Sequence, residues 1–153
     1  MWGKEASQVG QWTASVIVAA PRAKVFDLLA DRENYGKLVP VGVKLIEPGV
    51  ESRQGIGAVH KLGIGPLGIR EQIIALEYGR TISYQAISRM PVRHYIGLVE
   101  FSDVPGGTRI DYTLDVDSAL PLPGIVLKAM AKTMAAGLGR GAERVIKSSA
   151  QKR

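Results

Sequence analysis

The sequence predicts an α+β fold, an antiparallel sheet of about seven strands with one long C-terminal helix on one face. Three observations carry that reading. Short apolar and β-branched segments follow one another between residues 41 and 115, separated by Gly- and Pro-containing breaks and by no helical segment. The last two of these segments alternate cleanly between apolar and polar positions. After Pro123 the apolar period becomes helical and holds to about Ser148. The 153 residues fit one domain, with an ordered core expected over 12–148.

The first strand is read from Ser15-Val16-Ile17-Val18, within Trp12–Ala19. Pro21 then stands where a first helical turn tolerates it, and Val25, Phe26, Leu28 and Leu29 follow at helical spacing. Asp31 is a candidate cap for a second short helix over Arg32–Leu38, which stops before Pro40. The following strands are expected near Val41–Glu47, Ala58–Gly63, Gly68–Leu76, Thr81–Ser88, His94–Ser102 and Thr108–Asp115. Breaks at Pro48-Gly49, Gly65-Pro66, Tyr78-Gly79, Met90-Pro91 and Pro105-Gly106-Gly107 make them an antiparallel meander. Tyr95, Gly97, Val99 and Phe101 fall on one face of their strand, and Ile110, Tyr112 and Leu114 on the matching face of the next. Arg109, Asp111 and Asp115 fall on the other side, so that one side meets water and the other is covered. In the long helix Leu127, Met130, Met134, Leu138, Gly141 and Val145 recur at steps of three and four, a stripe that needs the sheet to cover it.

Composition removes whole classes of chemistry. The chain has no Cys, which excludes a disulfide scaffold, a thiol nucleophile and cysteine-ligated zinc or iron–sulfur sites. With only two His, a multi-histidine metal centre is excluded as well. Lys and Arg exceed Asp and Glu by 20 to 14, a formal charge of +6. That excess favours anionic partners, and it is densest at the C-terminal end in Arg140, Arg144, Lys147, Lys152 and Arg153. The plain reading of that end is a solvated helix face, and the functional one is peripheral contact with an anionic membrane. DNA is not expected, because aromatics form only 6% of the chain and do not interleave with the basic residues. The first apolar stretch is too short for a signal-peptide core, and Lys128 and Lys132 interrupt the most apolar region. A soluble, cytoplasmic protein is expected, as a monomer or homodimer.

The stretch Val18-Ala19-Ala20-Pro21-Arg22-Ala23-Lys24-Val25-Phe26-Asp27-Leu28-Leu29-Ala30-Asp31-Arg32-Glu33-Asn34-Tyr35 resembles the opening of the START-like (SRPBCC) superfamily, in its bacterial polyketide cyclase/dehydrase and lipid transport branch. Arg70-Glu71-Gln72-Ile73 through Leu76-Glu77, Pro91-Val92-Arg93-His94-Tyr95-Ile96-Gly97 and Gly106-Gly107-Thr108-Arg109 agree with it. The resemblance covers residues 12–148 and is specific for the fold rather than for chemistry. It implies the helix-grip fold, in which a curved sheet wraps around the long helix and leaves an internal cavity. It also implies a small hydrophobic ligand there, such as a lipid, isoprenoid or polyketide.

Within that frame Tyr84, Tyr95 and Tyr112 lie on the inferred apolar faces, each with a hydroxyl that needs a partner; they are pocket residues or ordinary core tyrosines. His60 shares a side with Ala58 and Leu62 and is either a cavity acid/base or a satisfied core histidine. The ligand-contacting set implied is His60, Leu62, Tyr84, Tyr95, Val99, Tyr112, Leu114, Met130 and Met134. His94 is placed at a rim, and Arg70 with Gln72 on a strand face that is inward or outward. Gly63-Ile64-Gly65-Pro66-Leu67-Gly68 matches GxGxxG, but Pro66 removes a donor and a strand follows, so it reads as a hairpin tip. No paired carboxylates, nucleophile elbow or metal-ligand cluster is found, and no cofactor is expected. Ligand binding or transport is therefore the expected function. A cyclase or dehydratase using His60 or a tyrosine, and a coenzyme Q-binding chaperone-like protein, are the alternatives.

Overall fold

The computed structural model describes residues 8–38, 42–63, 69–87, 92–118 and 124–151. Seven strands form one sheet in the order β1-β7-β6-β5-β4-β3-β2, with every pair antiparallel. β1 (Gln8–Val18) is followed by α1 (Arg22–Ala30) and a 3-10 segment, Arg32–Lys37. The meander then runs through β2 (Val43–Glu47), β3 (Val59–Leu62), β4 (Ile69–Glu77), β5 (Thr81–Ala86), β6 (Val92–Val104) and β7 (Gly107–Ser118). α2 (Gly124–Gln151) closes the chain. The meander is the expected one, with strand ends displaced by a few residues. The first strand pairs with the last, Trp12 opposite Leu114 and Val16 opposite Ile110.

The alternation read in the last two strands sets the core. Val99, Phe101, Ile110, Tyr112, Leu114 and Val116 are buried on the inner face. The outer face carries a polar ladder, with Thr13 Oγ1 2.9 Å from Thr113 Oγ1 and Arg109 Nε donating to Asp111 Oδ1 at 3.0 Å. His94 lies on that exposed face and reaches Asp115 Oδ1 at 3.2 Å.

Three details depart from the sequence reading. The second short helix is a 3-10 turn, and the Asp31 side chain does not cap it. Its oxygens instead accept the side-chain amides of Asn34 and Gln54, because a loop that returns from β2 brings Gln54 close. On α2 the most deeply buried line is Ala131, Ala135, Leu138 and Ala142, with Met134 and Val145 half-buried beside it. Small residues win that line because α2 approaches closely. A Cβ on Gly139 would lie 2.9 Å from Val16, and one on Gly141 would lie 2.3 Å from the Leu38 carbonyl oxygen. Close packing therefore accounts for Gly141 in the stripe. The side chains of Leu127 and Met130, and residues 64–68 of the GxGxxG string, lie outside the described residues. The strands flanking that string are an antiparallel pair, Leu62 opposite Ile69, so it lacks the strand-to-helix context that a dinucleotide site requires.

Candidate functional site: a buried polar cluster in the sheet

A core built from alternating apolar residues should hold few polar atoms, yet charged and phenolic groups concentrate at one place on the inner face. The geometry starts at Gly97. Its partner across β5 and β6 is Tyr84, and a Cβ on Gly97 would lie 2.3 Å from Tyr84 Cζ. The missing side chain lets the Tyr84 ring lie flat over β6. From there the Tyr84 hydroxyl reaches Tyr112 Oη at 2.5 Å. Tyr95, half-buried on β6, is also within hydrogen-bonding reach of Tyr112, which makes Tyr112 the centre of a three-phenol chain.

Behind the phenols stands a buried ion pair. Arg32 Nη2 donates to Glu71 Oε1 at 2.5 Å, with side chains only 1% and 6% exposed. The Arg32 guanidinium carbon lies 4.5 Å from the Tyr84 ring centroid and 5.1 Å from that of Tyr35. Its Nε and Nη1 have no hydrogen-bond acceptor among the described residues, so the two ring faces are the electron-rich surfaces it meets. Burial alone would lower the Arg32 pKa, but Tyr35, Glu71 and Tyr84 outweigh it and hold the pKa above its ordinary value.

His60 completes the cluster, fully buried on β3. Its tautomer follows from Gln54. The Gln54 Nε2 donates to Asp31 Oδ1 at 2.6 Å, while its Oε1 accepts the Glu33 backbone N–H at 3.0 Å. Turning that amide over would break both bonds, so Oε1 is what faces His60 Nε2, 3.1 Å away. Nε2 therefore carries the proton. Nδ1 is left as a buried acceptor without a hydrogen-bond partner among the described residues. Desolvation, helped by the Arg32 charge, lowers the His60 pKa to about 4, so the ring is neutral at physiological pH.

Desolvation also acts on the phenols. It raises the Tyr112 pKa to about 12, with hydrogen bonds from Tyr84 and Tyr95 partly opposing it, and raises Tyr84, Tyr95 and Tyr35 above their ordinary value. All are hydrogen-bond donors at neutral pH rather than bases. The Tyr84–Tyr112 bond uses one of that pair's two hydroxyl hydrogens, which leaves the other for a further acceptor.

The structure thus joins His60, Tyr84, Tyr95 and Tyr112 from the sequence-derived set into one neighbourhood. Val99 and Leu114 are buried on the same inner sheet, Leu62 is half-buried at the end of β3, and Met134 is half-buried on α2. Sequence reasoning missed Arg32, Tyr35, Glu71 and Gln54 as members. It also left the β4 face open. Glu71 and Ile73 point inward, and Arg70 is exposed, so the buried partner role belongs to Glu71 and Arg32. The signal available was parity, since Glu71 is a charge flanked at two residues on either side by Ile69 and Ile73.

A curved seven-stranded antiparallel sheet gripping a C-terminal helix defines the helix-grip class. More narrowly, residues 10–149 match the family model described as polyketide cyclase / dehydrase and lipid transport, and the chain belongs to that family. Solved structures agree on the fold. A START superfamily protein from Mycobacterium smegmatis is 17% identical, with 90% of this chain and 97% of that one covered and a TM-score of 0.73. Ara h 8.0201 is 19% identical over 92% and 99% of the two chains, with a TM-score of 0.71. Norcoclaurine synthase from Thalictrum flavum, in complex with dopamine and hydroxybenzaldehyde, is 12% identical over 95% and 90%, also at 0.71. No curated protein matches the chain. Among the described residues no helix is long and apolar enough to cross a membrane, and no group of three metal-ligating side chains occurs.

Proposed function

We propose that the chain binds one small hydrophobic molecule between the inner face of the sheet and α2, and that the phenol chain orients its polar end. The observation that carries this reading is the Tyr84–Tyr112 hydrogen bond with Tyr95 beside it, a group of phenols with a hydroxyl hydrogen left over that stands next to the buried Arg32–Glu71 pair on the inner face. A lipid, isoprenoid or polyketide-like compound with a carbonyl or hydroxyl oxygen matches it: the body buries against Val99, Leu114 and Met134, and the oxygen accepts from a phenol. The His60 Nδ1 lone pair suits a ligand hydroxyl. Binding energy comes mainly from apolar burial, about 25 cal/mol per Å² removed from water, reduced by ordering costs.

The same groups argue for binding over catalysis. Acid–base work at neutral pH favours a group that titrates near 7, whereas Tyr112 lies at about 12 and His60 at about 4. The family description covers both lipid transport and cyclisation, and these values favour the former.

The test is native mass spectrometry of the protein purified from its own host, followed by solvent extraction and identification of the released mass. A stoichiometric hydrophobic compound is expected, bound up to about tenfold more weakly in Tyr112→Phe, the worth of one hydrogen bond. A clean apo mass, with a host lipid extract failing to restore a bound species, overturns the proposal.

A further inference from the structure

A concave groove lies outside the sheet–helix interior, where α1, the 3-10 segment and the last turns of α2 meet. Because α1 commits Val25, Phe26 and Leu29 to the core, its other face leaves Lys24, Asp27, Leu28 and Asp31 along this groove. Leu28, Leu38, Val145 and Ile146 line it with apolar surface, and it holds about 540 Å³, within the roughly 300–1,000 Å³ typical of small-molecule sites.

Its charges are unequal in availability. Both carboxylate oxygens of Asp31 already accept side-chain amides, from Asn34 and from Gln54. Lys24 and Lys37 are exposed and have neither a hydrogen-bond acceptor nor an ion-pair partner among the described residues. Beside Lys37, Arg144 Nη2 donates to the carbonyls of Lys37 at 2.8 Å and Leu38 at 3.3 Å, which fixes a third cation at that end. Asp27 is the one lining carboxylate whose oxygens are unengaged among the described residues. A half-buried apolar floor edged by uncommitted cations complements a molecule with a hydrocarbon tail and an anionic head: the tail covers the floor and the head pairs with a lysine.

We propose that this groove is a second binding site, for a free single-chain amphiphile with an anionic head group of the carboxylate kind. It shares no residue with the tyrosine cluster and does not rest on the interior reading. The probe is sodium dodecanoate below its micellar concentration, titrated into methyl-labelled full-length protein and followed by NMR. The expected result is perturbation of the Leu28, Leu38, Val145 and Ile146 methyls, with affinity reduced about tenfold by the exposed double variant K24E/K37E, as the loss of the head's surface ion pair and repulsion from the two new carboxylates would give. Dodecyltrimethylammonium, with the same tail and opposite charge, is expected to bind several-fold more weakly. Perturbation confined to Val99 and Leu114 would place dodecanoate inside the sheet and overturn the second site while leaving the interior one standing. Equal affinity for the two amphiphiles, or no change in K24E/K37E, overturns the charge assignment. Association with anionic vesicles alone, without binding of monomeric dodecanoate, overturns the proposal in favour of a membrane surface.

Discussion

Replacing Glu71 by Gln preserves shape and removes one charge from a pair that solvent barely reaches. The Arg32 and Glu71 side chains are 1% and 6% exposed, and the remaining Arg32 nitrogens have no acceptor among the described residues. The substitution therefore strands a buried cation. Breaking such a pair typically costs about 3–5 kcal/mol. The rings of Tyr35 and Tyr84 stay against the guanidinium, and at about 0.5–2 kcal/mol for a cation–π contact they soften the loss toward the lower end, about 3 kcal/mol. For a chain of this size roughly 2–4 °C of Tm accompanies each kcal/mol, so E71Q should melt about 6–12 °C below the parent. Scanning calorimetry at pH 7, with urea unfolding as a cross-check, measures it. A second variant separates charge from packing. Arg32→Met combined with Glu71→Leu removes both charges and should recover most of the stability that E71Q loses, since apolar replacement of a buried pair is often neutral. An E71Q protein within about 0.5 kcal/mol of the parent, the range of ordinary surface substitutions, would refute the reasoning. So would a double variant no more stable than E71Q.

Three other outcomes follow from the same geometry. Gly97→Ala puts a Cβ 2.3 Å from Tyr84 Cζ, so the ring must leave β6; overpacking of this kind costs about 1–3 kcal/mol, and urea unfolding together with loss of the bound hydrophobic compound would show it. Tyr112→Phe removes the hub hydroxyl and leaves Tyr84 and Tyr95 without their shared partner; a loss of about 1–3 kcal/mol in urea unfolding is expected, with the fold retained by circular dichroism. The His60 pKa of about 4 lies below its ordinary 6.5, so the native state resists protonation. That contribution is fully present above pH 6.5 and is lost as pH falls from 6.5 to about 4, because the unfolded chain takes up the proton first. The loss is on the order of 3 kcal/mol and should be absent from the pH–stability curve of His60→Gln, so that it appears in the difference between parent and variant; parallel curves would contradict it.

The parts of this fold that were legible in sequence are those where one physical signal acts alone. β6 and β7 alternate strictly because one face is core and the other water, and their pairing and inner residues were readable from residues 95–114 without help. α2 was visible from its period, and Leu138 and Gly141 of the expected stripe lie on its buried side, but Ala131, Ala135 and Ala142 were left out, because a helix pressed against Val16 and Leu38 selects Ala and Gly as well as large apolar residues. β4 hid its inner face because a bulge between Ile73 and Ala75 shifts the register, and Ile73-Ile74-Ala75-Leu76 offers apolar residues on both parities. Glu71 was lost in that ambiguity. Arg32 was missed for a different reason. It lies in a 3-10 turn with no apolar period, and its burial depends on Glu71, Tyr35 and Tyr84, contributed by the 3-10 segment, β4 and β5. The tyrosines were legible as inward residues, while their meeting at Tyr112 needed the β5–β6–β7 register.

The most direct test of an interior site oriented by phenols uses the chain's own five tyrosines. Protein labelled at the tyrosine ring ¹³Cζ is titrated with a solvent extract of its host, or with the compound that mass spectrometry identifies. Tyr78, 68% exposed and outside the cluster, is the internal control. The account predicts that the resonances of Tyr84, Tyr95 and Tyr112 move together with saturation while that of Tyr78 stays in place. Saturable binding that leaves those three resonances fixed would contradict it.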